Sequence, residues 1–291
     1  LLGDRSGEHL KLLRQAEEAA NREDYEEAAR FYRYVAVHFG LLKESESMKA
    51  FMIKTGECYL NAARRLWDKN RPVHALLSFI NASRCFKEGR DEERARKSDL
   101  TVECYYGRIR KDGTLRLHGD ANDLKRIGDY FVNRDLNKAI ECYEAAAERA
   151  FALGKLHLSG SLYATLGECY MAIGRHGEAA ERYARSGDMY LKCRELFEAA
   201  WRYCISSFNF ILAGDTRKAL SAALKAEFVC REEGINVFLN DLASVCRLLS
   251  EGFPDEALRK WRKIRRKFKE SYVKIIDSCF QLIDSSKRES R

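Results

Sequence analysis

The sequence predicts an all-α chain in which pairs of helices stack one upon the next into a solenoid. Three observations carry that expectation. Only two prolines, Pro72 and Pro254, fall within 291 residues, so little interrupts helix formation. Hydrophobic residues make up 46% of the chain and charged residues 33%, a balance that supports a packed core and excludes a disordered polymer. Glycine, alanine and aromatic residues also recur in the same order along the chain, as they do in repeat proteins.

The elements follow in order. A helix from about Glu8 to Asn21 precedes one carrying Tyr25, Ala28, Tyr32 and Val35. Gly56 and Tyr59 lead to Ala75, Phe79 and Ala82 with about seven extra residues between, two helical turns that lengthen the first helix of the pair. Ile127, Gly128 and Phe131 are answered by Ala139, Tyr143 and Ala146. The clearest unit runs from Leu162 to Gly187: Tyr163, Leu166, Gly167 and Tyr170 share one helix face, Gly174 and Gly177 bracket a turn, and Ala179, Tyr183 and Ser186 mark the second helix. Gly167 and Ala179 are small where paired helices cross, and the tyrosines fill the grooves between helices. Gly214 and Asp215 then turn the chain into Ala219, Ala223 and Ala226, and Gly252 and Pro254 lead into Ala257, Trp261 and Ile264. A long closing helix continues through Tyr272, Ile276, Cys279 and Ile283.

This order of a large residue, Leu-Gly, Tyr, then Ala, aromatic and Ala resembles the tetratricopeptide pattern. The fold class is therefore an all-α, right-handed α-solenoid of about six tetratricopeptide-like helix pairs with a C-terminal helical cap. Residues 1–253 read as repeats, and residues 254–291 as a basic capping helix of the same domain. Each pair leaves an apolar face that only its neighbour can cover, which forces the stack. Residues 107–119 interrupt the rhythm: Lys111-Asp112-Gly113 separates two short alternating stretches, which fits either a small hairpin or a surface loop between helices.

The helix rhythm of Asn137 to Ala150 and Glu178 to Leu191, with the ending from Leu242 to Phe268, resembles the soluble NSF-attachment proteins. That resemblance implies a non-catalytic adaptor, one surface gripping an acidic, SNARE-like helical bundle and the C-terminal end docking on an AAA+ ATPase. Two features depart from the family. The link Asn21-Arg22-Glu23-Asp24 is polar where the family carries a phenylalanine-rich membrane-touching loop, and the chain ends in Ser-Ser-Lys-Arg-Glu-Ser-Arg where the family ends acidic.

The net charge of +8 is uneven: residues 255–270 carry eight Lys and Arg against three acids, whereas residues 1–50 carry ten acids and eight bases. Leu258, Trp261, Ile264, Phe268 and Tyr272 form the buried stripe of that closing segment, so Arg259, Lys260, Arg262, Lys263, Arg266 and Lys267 project outward as the candidate partner-binding residues. A polybasic face of this kind attracts an acidic partner. Nucleic-acid binding is the rival reading, and the helical spacing that buries Trp261, Phe268 and Tyr272 argues against base stacking. A generic scaffold for another protein partner fits the same residues.

Catalytic and cofactor chemistry finds no support. His9, His38, His74, His118, His157 and His176 are scattered with no metal-ligand spacing, and Gly174 to Gly177 is too short for a phosphate loop. Neither Ser161, Ala164 and Glu168 nor Asn122, Lys125 and Asp129 make the Lys and Asn clamp that grips a peptide carboxylate. Ten cysteines without a CxxC, most on apolar faces, suggest a reducing cytoplasmic setting. No apolar run approaches a membrane span, which leaves peripheral contact at most. The opening Leu-Leu-Gly, without an initiator Met, suggests trimming and leaves targeting undecided at that end.

Overall fold

A computed structural model describes residues 5–113, 119–232 and 237–289. Among these residues the chain forms fourteen α-helices, one 3₁₀ turn and no strand. It divides into two compact units, Leu1–Gly119 and Asp120–Arg291. The first holds α1 (Arg5–Asn21), α2 (Tyr25–Leu41), α3 (Ser45–Asp68), α4 (Pro72–Glu88) and α5 (Glu92–Lys111). The second holds α6 (Ala121–Phe131), α7 (Leu136–Ala152), α8 (Leu156–Ala172), α9 (His176–Lys192), α10 (Leu196–Leu212), α11 (Thr216–Glu232), α12 (Val237–Ser250), α13 (Pro254–Ile264), the 3₁₀ turn Arg265–Lys267 and α14 (Glu270–Glu289).

The governing unit is a 17-residue helix followed by a three-residue link. Helices α7 to α11 start at residues 136, 156, 176, 196 and 216, so helix pairs recur every 40 residues, longer than the roughly 34 of the tetratricopeptide. Helix α3 has 24 residues against 17 in its neighbours, the two additional turns that the spacing of Gly56 and Phe79 predicts. Most links close helices by the same device, the links after Phe131 and Ile264 being exceptions with no left-handed residue. In Arg22-Glu23-Asp24, Glu23 takes a left-handed φ of 60° and the Asp24 amide donates to the Ala19 carbonyl at 2.9 Å, a Schellman closure. Asp24, Asp91, Asp120, Asp135 and Asp215 then accept amide hydrogens of the following helix, and the two prolines occupy first turns, where no amide hydrogen is required.

Each helix packs on the next within its unit. The contacts are close because small residues face rings: a Cβ on Gly56, Gly128, Gly167 or Gly187 would lie 2.6–2.8 Å from Phe86, Tyr143, Tyr183 or Tyr203. Burial of this apolar surface stabilises the stack at about 25 cal/mol per Å².

Two expectations are corrected, and one contact is added that the sequence does not show. The stretch from Gly107 to Lys111 is not strand-like but completes α5, a helix the repeat count omitted; Asp112 and Gly113 turn, and residues 114–118 of the expected hairpin or loop lie outside the described residues. The closing segment is two helices, because the chain breaks at the 3₁₀ turn and Phe268 is extended at ψ 149°. Finally, α14 folds back on α10: Val273, Ile276, Cys279 and Phe280 are buried with Phe208 and Ile211, and the Cys279 thiol donates to the Phe208 carbonyl at 3.4 Å.

Candidate protein-binding surfaces

The predicted basic residues lie where the closing helices meet solvent. Arg259, Arg262, Lys263, Arg266 and Lys267 are exposed, whereas Lys260 is half-buried and sits 3.9 Å from Asp241. Arg259, Arg262 and Lys263 project from α13, but Arg266 and Lys267 belong to the 3₁₀ turn, so the set does not form one helical face. Lys267 lies over the ring of Phe238 at 5.9 Å. Arg265, in the same turn, is committed to Asp277 at 2.7 Å, and that hydrogen bond holds its guanidinium above the ordinary arginine range. The predicted stripe is buried or half-buried, though divided between two helices. Phe268 stacks on Trp201 at 5.9 Å, and Tyr272 meets the same indole edge-on at 4.9 Å.

A second surface lies in the first unit, between α3 and α5 over the floor of α4. Glu57, Asn61 and Arg64 come from α3, Phe79 and Phe86 from α4, and Arg94, Lys97, Thr101 and Tyr105 from α5, around a groove of 570 Å³. This volume falls within the roughly 300–1,000 Å³ of ligand-binding clefts. Arg94 reaches Glu57 at 2.5 Å and lies over Phe86 at 5.9 Å, while Lys97 holds Glu93 at 2.6 Å. Arg64 makes no ion pair among the described residues and is exposed. Three cations, an amide, a hydroxyl and a Tyr105 ring packed on Trp67 and Phe79 thus converge on one cleft. The sequence does not announce this cleft, because the apolar pattern of α5 is weak; with α5 formed, Lys97 and Thr101 stand four apart on the face that carries Tyr105.

A third surface is a furrow between α9 and α11 over α10. Its wider part, of 430 Å³, is lined by Asp188, Leu191, Tyr203, Leu224, Lys225 and Phe228, and its narrower part by Ala184, Phe210, Lys218 and Ala222. Among the described residues no group of three or more His, Cys, Asp or Glu could hold a metal ion, and no helix is long and apolar enough to cross a membrane.

No protein-family model matches the chain, and no curated protein matches it. Solved structures do resemble it. A signal transduction ATPase with a tetratricopeptide repeat sensor from Pyrococcus horikoshii is 17% identical with a TM-score of 0.48, over 94% of this chain and 44% of that one. The chain thus spans less than half the length of that protein. Aspartyl phosphate phosphatase F from Bacillus subtilis is 14% identical with a TM-score of 0.42, over 96% of this chain and 70% of that one. MamA protein is 17% identical with a TM-score of 0.33, over 78% and 93%. The likeness concerns the helical-repeat fold alone.

Proposed function

We propose that this chain is a non-catalytic scaffold that binds other proteins, and that the groove between α3 and α5 takes an acidic segment of a partner. The observation that carries the reading is the convergence of Arg64, Arg94 and Lys97 on a cleft with an aromatic floor. Arg94 is shared between Glu57 and Asp91, and Lys97 holds Glu93, which leaves Arg64 as the cation of the cleft without an ion pair among the described residues. A partner carboxylate gains a charge-assisted bond from Arg64, and Asn61 supplies both a donor and an acceptor for an extended backbone. Anisotropy with a fluorescent glutamate-rich peptide containing one aromatic residue tests this. Salt-sensitive binding that weakens about tenfold in Arg64→Glu is expected for the loss of one charge-assisted contact. Equal binding by the variant would remove the groove from the scaffold.

The resemblance to the attachment proteins supports a finer reading, in which the chain links a SNARE-like helical bundle to an AAA+ ATPase during disassembly in vesicle fusion, within the reducing cytoplasm. Arg259, Lys260, Arg262, Lys263, Arg266 and Lys267 would face the ATPase. What favours it is that Arg259, Arg262, Lys263 and Arg266 are exposed and make no ion pair among the described residues. Reversal of charge at Arg262, Lys263, Arg266 and Lys267 should leave melting intact and abolish capture of a co-resident AAA+ ATPase. Unchanged capture would sink the docking role.

A further inference from the structure

The helical spacing of Trp261, Phe268 and Tyr272 predicts three buried rings, which argues against base stacking. In the structure only Trp261 is buried, and Phe268 and Tyr272 keep part of their surface in solvent. Packing adds rings that the spacing does not reveal. Trp201 is half-buried on α10, Phe238 is half-buried on α12, and Phe197, in the first turn of α10, is 44% exposed.

These rings form one continuous row in the second unit. Between centroids, Phe197 stands 6.5 Å from Phe238, Phe238 5.4 Å from Phe268, Phe268 5.9 Å from Trp201, and Trp201 4.9 Å from Tyr272. Packing against the buried core accounts for Trp201, Phe238 and Phe268. It gives no reason for a ring at Phe197, the exposed end of the row.

The charge beside the row is positive and uncompensated. Lys267 lies over the Phe238 ring at 5.9 Å, and Arg266 and Lys269 stand within two residues of Phe268. All three cations are exposed and make no ion pair among the described residues. Nearby carboxylates are held elsewhere: Asp277 by Arg265 and the Trp261 indole, Asp241 near Lys260, and Glu198 by Arg202. Glu270, exposed at the start of α14, makes no ion pair among the described residues, one acid against three cations.

A simple anion would satisfy the cations and leave the rings open. A single-stranded nucleic acid supplies both partners in alternation, because each nucleotide carries one phosphate and one base with a π-face. A duplex brings the phosphates but keeps its base faces stacked inside. We propose that the row from Phe197 to Tyr272, with Arg266, Lys267 and Lys269, is a binding surface for single-stranded nucleic acid. Bases stack along Phe197 and Phe238, and phosphates meet the three cations. This surface shares Arg266 and Lys267 with the face set against the ATPase, but the rings belong to it alone, so variants of Phe197 separate the two.

The test is fluorescence anisotropy of the full chain with labelled oligo-dT and oligo-U at about 150 mM salt, with a duplex of equal length and polyglutamate as competitors. Binding of either strand is expected, with both competitors at least about tenfold weaker than unlabelled strand. Phe197→Ala should weaken binding about tenfold, the worth of one stacked base, and leave melting unchanged because the ring is exposed. Phe197→Leu, which keeps an apolar side chain and removes the π-face, should weaken it similarly. Lys267→Gln and Lys269→Gln should each make the dependence of log affinity on log salt shallower by about 0.7. Competition by polyglutamate or duplex as strong as by the strand would overturn the proposal, in favour of a surface that reads charge alone. Parental affinity in both Phe197 variants, or no strand binding at this salt, would overturn it as well.

Discussion

The ring of Tyr183 lies so close over Gly167 that a Cβ at that glycine would stand 2.7 Å from it. The same relationship joins Gly187 to Tyr203, twenty residues further on, so the close crossing joins α9 to α10 as well as α8 to α9 and is not confined to the two helices of one pair. Gly167→Ala and Gly187→Ala should each destabilise the protein by about 1–3 kcal/mol, the cost of overpacking, despite the better helix propensity of alanine. Gly107 supplies the control, since nothing lies within 4 Å of a Cβ built there. Gly107→Ala in α5 should stabilise by about 0.5–1 kcal/mol. Denaturant melts of the three variants check both signs; equal effects would show that crowding by the rings does not limit the helix crossing.

The links make a separate prediction. Gly174 closes α8 at a φ of 75° and Arg194 closes α9 at 60°, the same left-handed position filled by different residues. Gly174→Ala should cost about 1–2 kcal/mol, the left-handed penalty of a Cβ. Arg194→Gly should relieve a similar strain, offset in part by the greater backbone entropy of glycine in the unfolded chain, and leave the protein as stable or slightly more so. Thermal melts distinguish the two.

Much of the stack was legible in the sequence, because Gly167, Tyr183, Ala179 and their counterparts are local markers of helix crossing. Helix α5 was not, because its buried positions Ala95, Val102, Tyr106 and Ile109 are few among charges, and Gly107 with Lys111-Asp112-Gly113 reads locally as turn. The break after Ile264 was equally hidden. Phe268 and Tyr272 continue the spacing of Trp261, but what fixes them is Trp201, distant in sequence on α10. Of the binding surfaces, the charge run at Arg259 to Lys267 could be read directly, whereas Arg64 and Lys97 are brought to one cleft only by packing. The furrow had a signal in Leu224 and Phe228, visible once the period was known to be 40.

The cysteines should react in two classes. Cys104 is exposed and Cys193 half-buried, while the other eight are buried. Burial pushes Cys85 and Cys230 up to about 12, and Cys58 and Cys169 to about 11, from the ordinary 9.0. At pH 8 a thiol reagent should therefore modify Cys104 and Cys193 in the native protein, and Cys104→Ser with Cys193→Ser should abolish the fast phase. The raised values also set a pH dependence. The unfolded chain releases these protons above about 9 while the folded chain holds them, so stability is complete below 9 and falls as pH rises towards 11 and 12. Melting temperatures recorded across pH 8–12 should decline from about 9 upward; a flat profile would contradict the burial of these thiols.

The docking of α14 depends on one carboxylate. Asp277 accepts the indole N–H of Trp261 at 2.8 Å through Oδ1 and the guanidinium of Arg265 at 2.7 Å through Oδ2, joining α13, the 3₁₀ turn and α14. Trp261 is 1% exposed, so its N–H has no access to water if that acceptor is lost. Asp277→Ala should cost about 1–3 kcal/mol, the penalty of an unpaired buried donor. Asp277→Asn keeps a carbonyl oxygen for the indole and loses only the charge opposite the exposed Arg265, a pair of small worth in solvent. Its effect should be well under half that of alanine. Hydrogen exchange should quicken in α14 and in the α10 face it covers, with α6 to α9 unchanged. Equal destabilisation by the two variants would instead make the Arg265 pair, and not the indole, the contact that turns α14 back on α10.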